Sequence, residues 1–214
     1  MNKLAIIGSG DLGQLIAHHA EQDAGIGVAG FINDFVPVGT SIATSQKNYT
    51  VLGGVEDIMT LFEQGKIDSL MIGIGYKYFD FRQAVFERFQ GKIPFANVIH
   101  SSCYVDSSCQ LGEGIFMLPH CTLDYNVQLA DNVLLNTACT IAHDSSVGKH
   151  SFLSPRVAMA GFIEVGACCN IGINTTIIDN VKIADDVQTG GGTVVTKNLD
   201  KAGLYVGVPA RFVR

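Results

Sequence analysis

The sequence has no tryptophan, only five prolines and few charges, with 16% of its 214 residues Asp, Glu, Lys or Arg. Twenty acidic against fourteen basic side chains leave a formal charge of −6. No basic stripe runs through it, which excludes a nucleic-acid surface and one that clings to anionic lipid. Nor does any uninterrupted apolar run approach the length of a bilayer, so no membrane insertion is expected. The apolar stretch near the start is cut by Gly8 and Gly10. A lysine precedes it, but the rest of a signal peptide does not follow, and a cytoplasmic address is expected. Six cysteines are present without one Cys-x-x-Cys pair, which removes the simplest zinc frameworks.

What the sequence does have is 24 glycines, 47% apolar residues and a pure period of six. Ile99, Val105, Leu111, Met117, Leu123, Leu129, Leu135, Ile141, Val147, Leu153, Met159, Val165, Ile171, Ile177 and Ile183 follow one another without a slip. The series runs on through Thr189 to Val195. Neither the helical period of 3.6 nor the strand period of 2 produces this, whereas a hexapeptide solenoid does. Such a solenoid is a triangular prism in which each face takes one hexad and residue i stacks on residue i+18. The aliphatic residue fills the axis. Four positions later comes a tight inward slot, held here by small or branched residues such as Cys121, Val133, Cys139, Ser151, Val157 and Cys169. Its thiols are therefore expected to pack rather than react. Asn126, Asn132, Asn174, Asn180 and Asp186 fall at the third position, where turn-tolerant residues belong.

The first half reads differently. A buried strand, a glycine turn and a helix are expected over residues 4–22, with Gly8, Gly10 and Gly13 in a G-x-G-x-x-G pattern. That pattern brings backbone N–H groups close to a phosphate at a helix N-terminus, though a purely structural turn fits it too. A second strand over 27–32 ends at Asn33 and Asp34, an acidic position that commonly meets a ribose or base edge. Helices are expected over 55–64 and 79–89, with a strand over 69–73 between them. Phe79, Phe86 and Phe89, on one side of the last helix, are assigned to the core. This half suits a small Rossmann-like α/β domain over residues 1–95, holding a mononucleotide or nucleotide sugar. Residues 96–214 then form a parallel β-helix of about five coils.

Within NTACTIAHDSSVG, His143 lies two residues past the inward Ile141, on the outer edge of the prism. A histidine there can accept a proton near neutral pH, and Asp144 can orient it. An ordinary solvent-facing turn histidine is the alternative. Gly161 stacks one coil further on, where its N–H is a candidate donor to a developing oxyanion. No set of histidines converges on His143, so no catalytic metal is expected.

Several segments resemble the hexapeptide-repeat sugar acetyltransferases, in the family of sialic-acid O-acetyltransferases and nucleotide-aminosugar N-acetyltransferases. They are GSGDLGQ, the GFIND strand end, NTACTIAHDSSVG, the AGFIEVGACCNIG coil and the terminal GGGTVVTKNL with VGVPAR. The resemblance implies a left-handed β-helix, a homotrimer and acetyl-CoA as co-substrate. It makes His143 the general base, Asp144 its partner, and Asn136 and Gly161 supporting residues. Gly8, Ser9, Gly10, Asn33, Asp34, Gly73 and Gly75 would surround the nucleotide sugar. Phe152, Gly161, Gly191, Thr193, Pro209 and Arg211 would meet acetyl-CoA.

Two positions depart from the family pattern. Phe152 stands where a second histidine is frequent, and Asn33 where the first of two aspartates is usual. The expected reaction is N-acetylation of a nucleotide-linked 4-amino-4,6-dideoxy sugar. O-acetylation of sialic acid or a related sugar, and a non-catalytic nucleotide-sugar-binding module, are the competing readings.

Overall fold

The computed structural model describes residues 3–44 and 47–214. The chain divides into two compact units, Met1–Ile99 and His100–Arg214.

In the first unit the all-apolar strand β1 (Leu4–Ile7) is buried along its whole length. Such a strand can only sit centrally in a sheet covered on both faces. It pairs in parallel with β2 (Val28–Ile32) on one side. On the other side it pairs, also in parallel, with Ser69–Ile72. Two further strands, β3 (Ser41–Ala43) and β4 (Asn48–Gly53), extend the sheet beyond β2. Calling Ser69–Ile72 β5, the strand order is β3-β4-β2-β1-β5, with β3 antiparallel to β4. Helix α1 (Asp11–Gln22) buries Gly13, Ile16, Ala17 and Ala20, the spacing of one helical face. Residues 55–57 form a 3-10 turn that runs into α2 (Ile58–Glu63). Helix α3 (Phe79–Phe89) buries Val85, Phe86 and Phe89. The chain leaves β1 towards β2 and later returns to the opposite side of β1 as β5. Sheets of this kind open a crevice at the carboxyl ends of their strands where the order reverses.

Three stacks of short strands make up the second unit. The first face comprises Tyr104–Val105, Thr122–Leu123, Thr140–Ile141, Ala158–Met159, Thr176–Ile177 and Val194–Val195. The second runs from Gln110–Leu111 to Lys182–Ile183 and the third from Phe116–Met117 to Gly203–Val206. Pairing along the coils is parallel at an offset of 18 residues, so that Ile141 lies between Leu123 and Met159, whereas the last parallel pairing of the third face, Val187 with Gly203, is shorter. Each axial side chain is closed off by its own kind above and below, and burial of each contributes about 1.5–3 kcal/mol. The antiparallel strand Arg211–Phe212 ends the third face.

The corners explain how so regular a coil is made. Every sixth residue from Gly114 to Gly192 has a positive φ, between 54° and 70°. This left-handed backbone costs an ordinary L-residue about 1–2 kcal/mol, less for Asn and Asp. That is why Asn126, Asn132, Asp144, Asn174, Asn180 and Asp186 recur there. A corner repeated in one sense, with three parallel stacks, fits a left-handed β-helix.

The inward slot has a second task besides filling space. The Cys139 thiol donates to Ser154 O at 3.2 Å, Ser145 Oγ to Ala160 O at 3.1 Å and Ser151 Oγ to Gly166 O at 2.9 Å. Cys121 and Cys169 do the same with Asn136 O and Ala184 O. Where the slot holds Cys or Ser, the small donor pairs a corner carbonyl; where it holds Val or Ile, it only fills space. No helix among the described residues is long and apolar enough to cross a membrane.

Candidate functional site

His143, Asp144, Gly161 and their neighbours share the corner between the first and second faces. Asp144 adopts the left-handed conformation, φ 54°, and its carboxylate turns back onto the preceding residue. Asp144 Oδ2 lies 3.0 Å from His143 Nδ1, and Oδ1 accepts a hydrogen bond of 2.8 Å from Asn126 Nδ2, one coil earlier. The Asn126 amide, and after it His143, hold the Asp144 carboxyl below the usual carboxylate range. An ionised Asp144 assigns the imidazole proton to Nδ1 and leaves Nε2 as the basic nitrogen.

The Nε2–Cε1 edge of that ring rests over Gly161. A β-carbon on Gly161 would lie 2.7 Å from Cε1 and 2.8 Å from Nε2, so only glycine leaves room for the imidazole. Phe162 meets the same ring edge-on, with centroids 5.1 Å apart and planes at 87°. The His143 side chain remains 46% exposed, open enough to reach a ligand.

Gly161 N–H is engaged within the chain, donating to Asp179 Oδ1 at 3.2 Å. The amides on either side of it belong to the ladder, Ala160 to Ile177 O and Phe162 to His143 O. The second corner amide is thus the one turned away from the strands, and here an acidic side chain from the next coil occupies it.

The other expected residues of this unit lie elsewhere on the prism. Asn136 is at the corner between the third and first faces, with Oδ1 accepting from Thr137 N at 2.8 Å. Gly191 is exposed at that same corner three coils on. Thr193 is fully buried in the inward slot, and its hydroxyl donates to Gly190 O at 2.7 Å, so it shapes the turn and offers a ligand nothing. Pro209 and Arg211 are exposed on the terminal hairpin, which bonds to Val194 through Gly207 O and Ala210 N. Phe152 is buried on the third face. Within one chain neither Phe152 nor Asn136 shares the corner of His143.

A separate cavity of about 430 Å³ opens at the carboxyl ends of β1 and β2 in the first unit. Gly8, Asn33 and Asp34 line it, with Phe35, Tyr78 and Phe81 supplying aromatic walls. That is the size and character of a small-molecule site. Gly8 (φ +101°) must be glycine, because a β-carbon would lie 2.9 Å from Gly73 O. Gly10 precedes the first turn of α1, the kind of helix N-terminus whose free amides can receive an anion. Ser9, Gly73 and Gly75 sit in the flanking turns.

Asn33 is tied inward at both ends of its amide. Nδ2 donates to Ser9 Oγ at 2.7 Å and Oδ1 accepts from Phe35 N at 2.8 Å. Asp34 Oδ1 accepts from Val55 N at 2.7 Å, which caps the 55–57 turn. Tyr78, Phe81, Asn126, Phe162 and Asp179 were not anticipated from the sequence. The i+18 rule applied to Asp144 and Gly161 identifies Asn126, Phe162 and Asp179, whereas the cavity aromatics carry no spacing signal.

No family model matches the chain. A stretch of 62 residues is 42% identical to the UDP-3-O-acylglucosamine N-acyltransferase of Bordetella pertussis. It amounts to 29% of this chain, which spans only 17% of the length of that curated relative. A Caulobacter crescentus protein solved in complex with CoA and GDP-perosamine superimposes with a TM-score of 0.89 at 26% identity. That match covers 100% of this chain and 98% of the other. The acetyltransferase domain of PglB from Neisseria gonorrhoeae shares the fold, with a TM-score of 0.88 and 21% identity over 100% of both chains. Like the hexapeptide-repeat acyltransferases, the chain carries an unbroken six-residue register and three parallel strand stacks, and it is similar to them in these comparisons.

Proposed function

We propose that the protein moves an acetyl group from acetyl-CoA to the amine of a nucleotide-linked 4-amino-4,6-dideoxy sugar, by direct transfer with His143 as general base. The observation that carries this reading is the His143–Asp144–Asn126 chain, which aims a basic Nε2 outward over Gly161. The Caulobacter protein, bound to CoA and GDP-perosamine, supports the choice of substrates.

The neutral amine attacks the thioester carbon, a C–N bond forms, and His143 Nε2 takes the proton that the nitrogen sheds. Asp144 stabilises the imidazolium that results. The carbonyl oxygen becomes an oxyanion, which Gly161 N–H stabilises once Asp179 withdraws. A contact of 3.2 Å is long for a charge-assisted bond, and the amide gains most from the partner that becomes charged in the transition state. The C–S bond then breaks and CoA thiolate leaves, drawing a proton from His143. No cysteine takes part. Cys139 is buried and donates to a carbonyl, and burial pushes the Cys169 thiol up to about 12.

In this reading residues 1–95 are a Rossmann-like domain that grips the nucleotide in the cavity beside Gly8 and Asp34. Residues 96–214 are the left-handed β-helix, of about five coils, that carries the chemistry. Gly191, Pro209 and Arg211 serve CoA but lie off the His143 corner, so a second copy brings them to it. A homotrimer of prisms satisfies this with equivalent grooves. The supply of acetyl-CoA places the work in the cytoplasm.

The test is to incubate purified protein with acetyl-CoA and a panel of UDP-, GDP- and dTDP-linked 4-amino-4,6-dideoxy sugars plus free sialic acid. CoA release and product mass are followed. One acetyl mass gained on an amino sugar supports the proposal. Gain on sialic acid alone replaces it with O-acetylation, and nucleotide-sugar binding without turnover replaces it with a binding module.

A further inference from the structure

We propose that Phe162 is a specificity-determining residue that reads the deoxygenated C6 position of the sugar acceptor. The inference rests on the N-acetyltransferase reading of His143.

Three observations meet at this side chain. First, Phe162 occupies the left-handed corner position with φ 57°, in a series otherwise filled largely by Asn, Asp and Gly. A bulky aromatic side chain is poorly suited to that conformation, and it persists only because the coil above and below imposes it. Strain of this kind is retained where the side chain serves a purpose that a compliant residue would not. Second, the ring is 52% exposed although it is large and apolar, so it is not there to fill the core. Third, it stands edge-on to His143, and its own N–H donates to His143 O at 3.1 Å, which fixes one residue against the other.

The placement of Nε2 makes the ring a wall of the acceptor site. The Cε1–Nε2 edge lies over the empty side-chain position of Gly161, immediately before Phe162. An amine hydrogen-bonded to Nε2 therefore stands over the 161–162 corner. In a 4-amino-4,6-dideoxy sugar the C6 methyl is carried by the ring carbon next to the one that bears the amine. A nitrogen held at Nε2 brings that methyl within van der Waals reach of the same corner. Against Phe162 a methyl loses water at a gain, whereas a hydroxymethyl gives up hydrogen bonds that the ring does not replace. An apolar wall rejects an added hydroxyl only modestly, by about 10²-fold at most.

Phe162→Asn tests this without threatening the fold, since Asn tolerates the left-handed corner better than Phe. The wild type and F162N are given acetyl-CoA with UDP-, GDP- and dTDP-linked 4-amino-4,6-dideoxy sugars and their 6-hydroxy counterparts, alongside thermal melts. The wild type should favour the 6-deoxy acceptor by roughly 10- to 100-fold in kcat/KM. F162N should bring the ratio close to unity while Tm stays level or rises. A wild-type ratio near one overturns the proposal. So does an F162N enzyme that loses rate on both sugars but keeps the ratio, because the ring would then only prop the imidazole. Absence of turnover on every sugar by the wild type overturns the transferase reading itself, and this inference with it.

Discussion

The imidazole of His143 fills the space that a β-carbon on Gly161 would occupy, the two being brought together by a sequence separation of one coil. The φ of Gly161 lies outside the left-handed region, so alanine is acceptable to the backbone there and intolerable only to the ring. Gly161→Ala should therefore melt close to the wild type while losing about 10²-fold in kcat, the usual penalty for a catalytic group displaced by an ångström. Unchanged kcat with an unmoved histidine in a crystal structure of the variant would refute the packing argument.

His143→Ala should lower kcat/KM for CoA release by at least about 100-fold, with binding of the nucleotide to the first unit intact. Equal rates for wild type and variant would remove His143 from the chemistry.

Asn126 is the leading cause of the depressed Asp144 carboxyl, so Asn126→Ala should let that carboxyl titrate nearer the ordinary range. The sign follows from linkage. A carboxylate with a lowered folded pKa contributes stability that is present above its unfolded value and disappears as pH falls through the folded one. In N126A that contribution should be smaller, its loss starting at the same unfolded value but complete at a higher pH than in the wild type. Carbon-13 titration of the Asp144 carboxyl reads the shift directly, and an unaltered titration would contradict the assigned cause.

Asp34 joins two roles, capping the 55–57 turn through Val55 N and facing the cavity. Asp34→Ala should cost about 1 kcal/mol of stability from the lost cap. It should also weaken binding of UDP, GDP or dTDP measured by calorimetry. If affinity holds while stability falls, the carboxylate is a cap alone.

Ile141 is fully buried between Leu123 and Met159. Truncation to alanine should cost about 2–5 kcal/mol in urea unfolding. Cys139→Ser keeps a small donor for Ser154 O and should retain most acetyl transfer. A severe loss of rate in that variant would reopen covalent catalysis.

The prism was legible because every coil repeats one physical instruction, an axial aliphatic residue followed by a corner. His143 and Gly161 could be paired by that arithmetic alone, since stacking converts sequence distance into contact. Asn126 and Asp179 are equally within reach of the rule, each lying one coil from Asp144 or Gly161. Stacking places Phe162 one coil beyond Asp144, but its register position alone marks a corner where Asn or Asp is usual and gives no sign of an exposed aromatic wall. In the first unit β4 (Asn48–Gly53) carries an alternation that buries Tyr49, Val51 and Gly53, but a glycine and turn-prone residues around it mask the strand. The edge strand β3 is three residues long and leaves no period to read. Tyr78 and Phe81 face the cavity from a turn and the first turn of α3, where nothing local distinguishes a wall from a core side chain.

The left-handed corner at every sixth residue has a consequence for chain length. Loss or gain of one residue within the coil acts on everything after it as a frameshift acts on a reading frame, turning axial side chains to the surface. Six residues restore the inside and outside but rotate the identities of the three edges, which would carry a downstream partner such as Gly161 away from His143. Only eighteen return every edge to itself. Natural variation in the length of this unit should therefore come in whole coils, or in loops thrown out at a corner, and nowhere between.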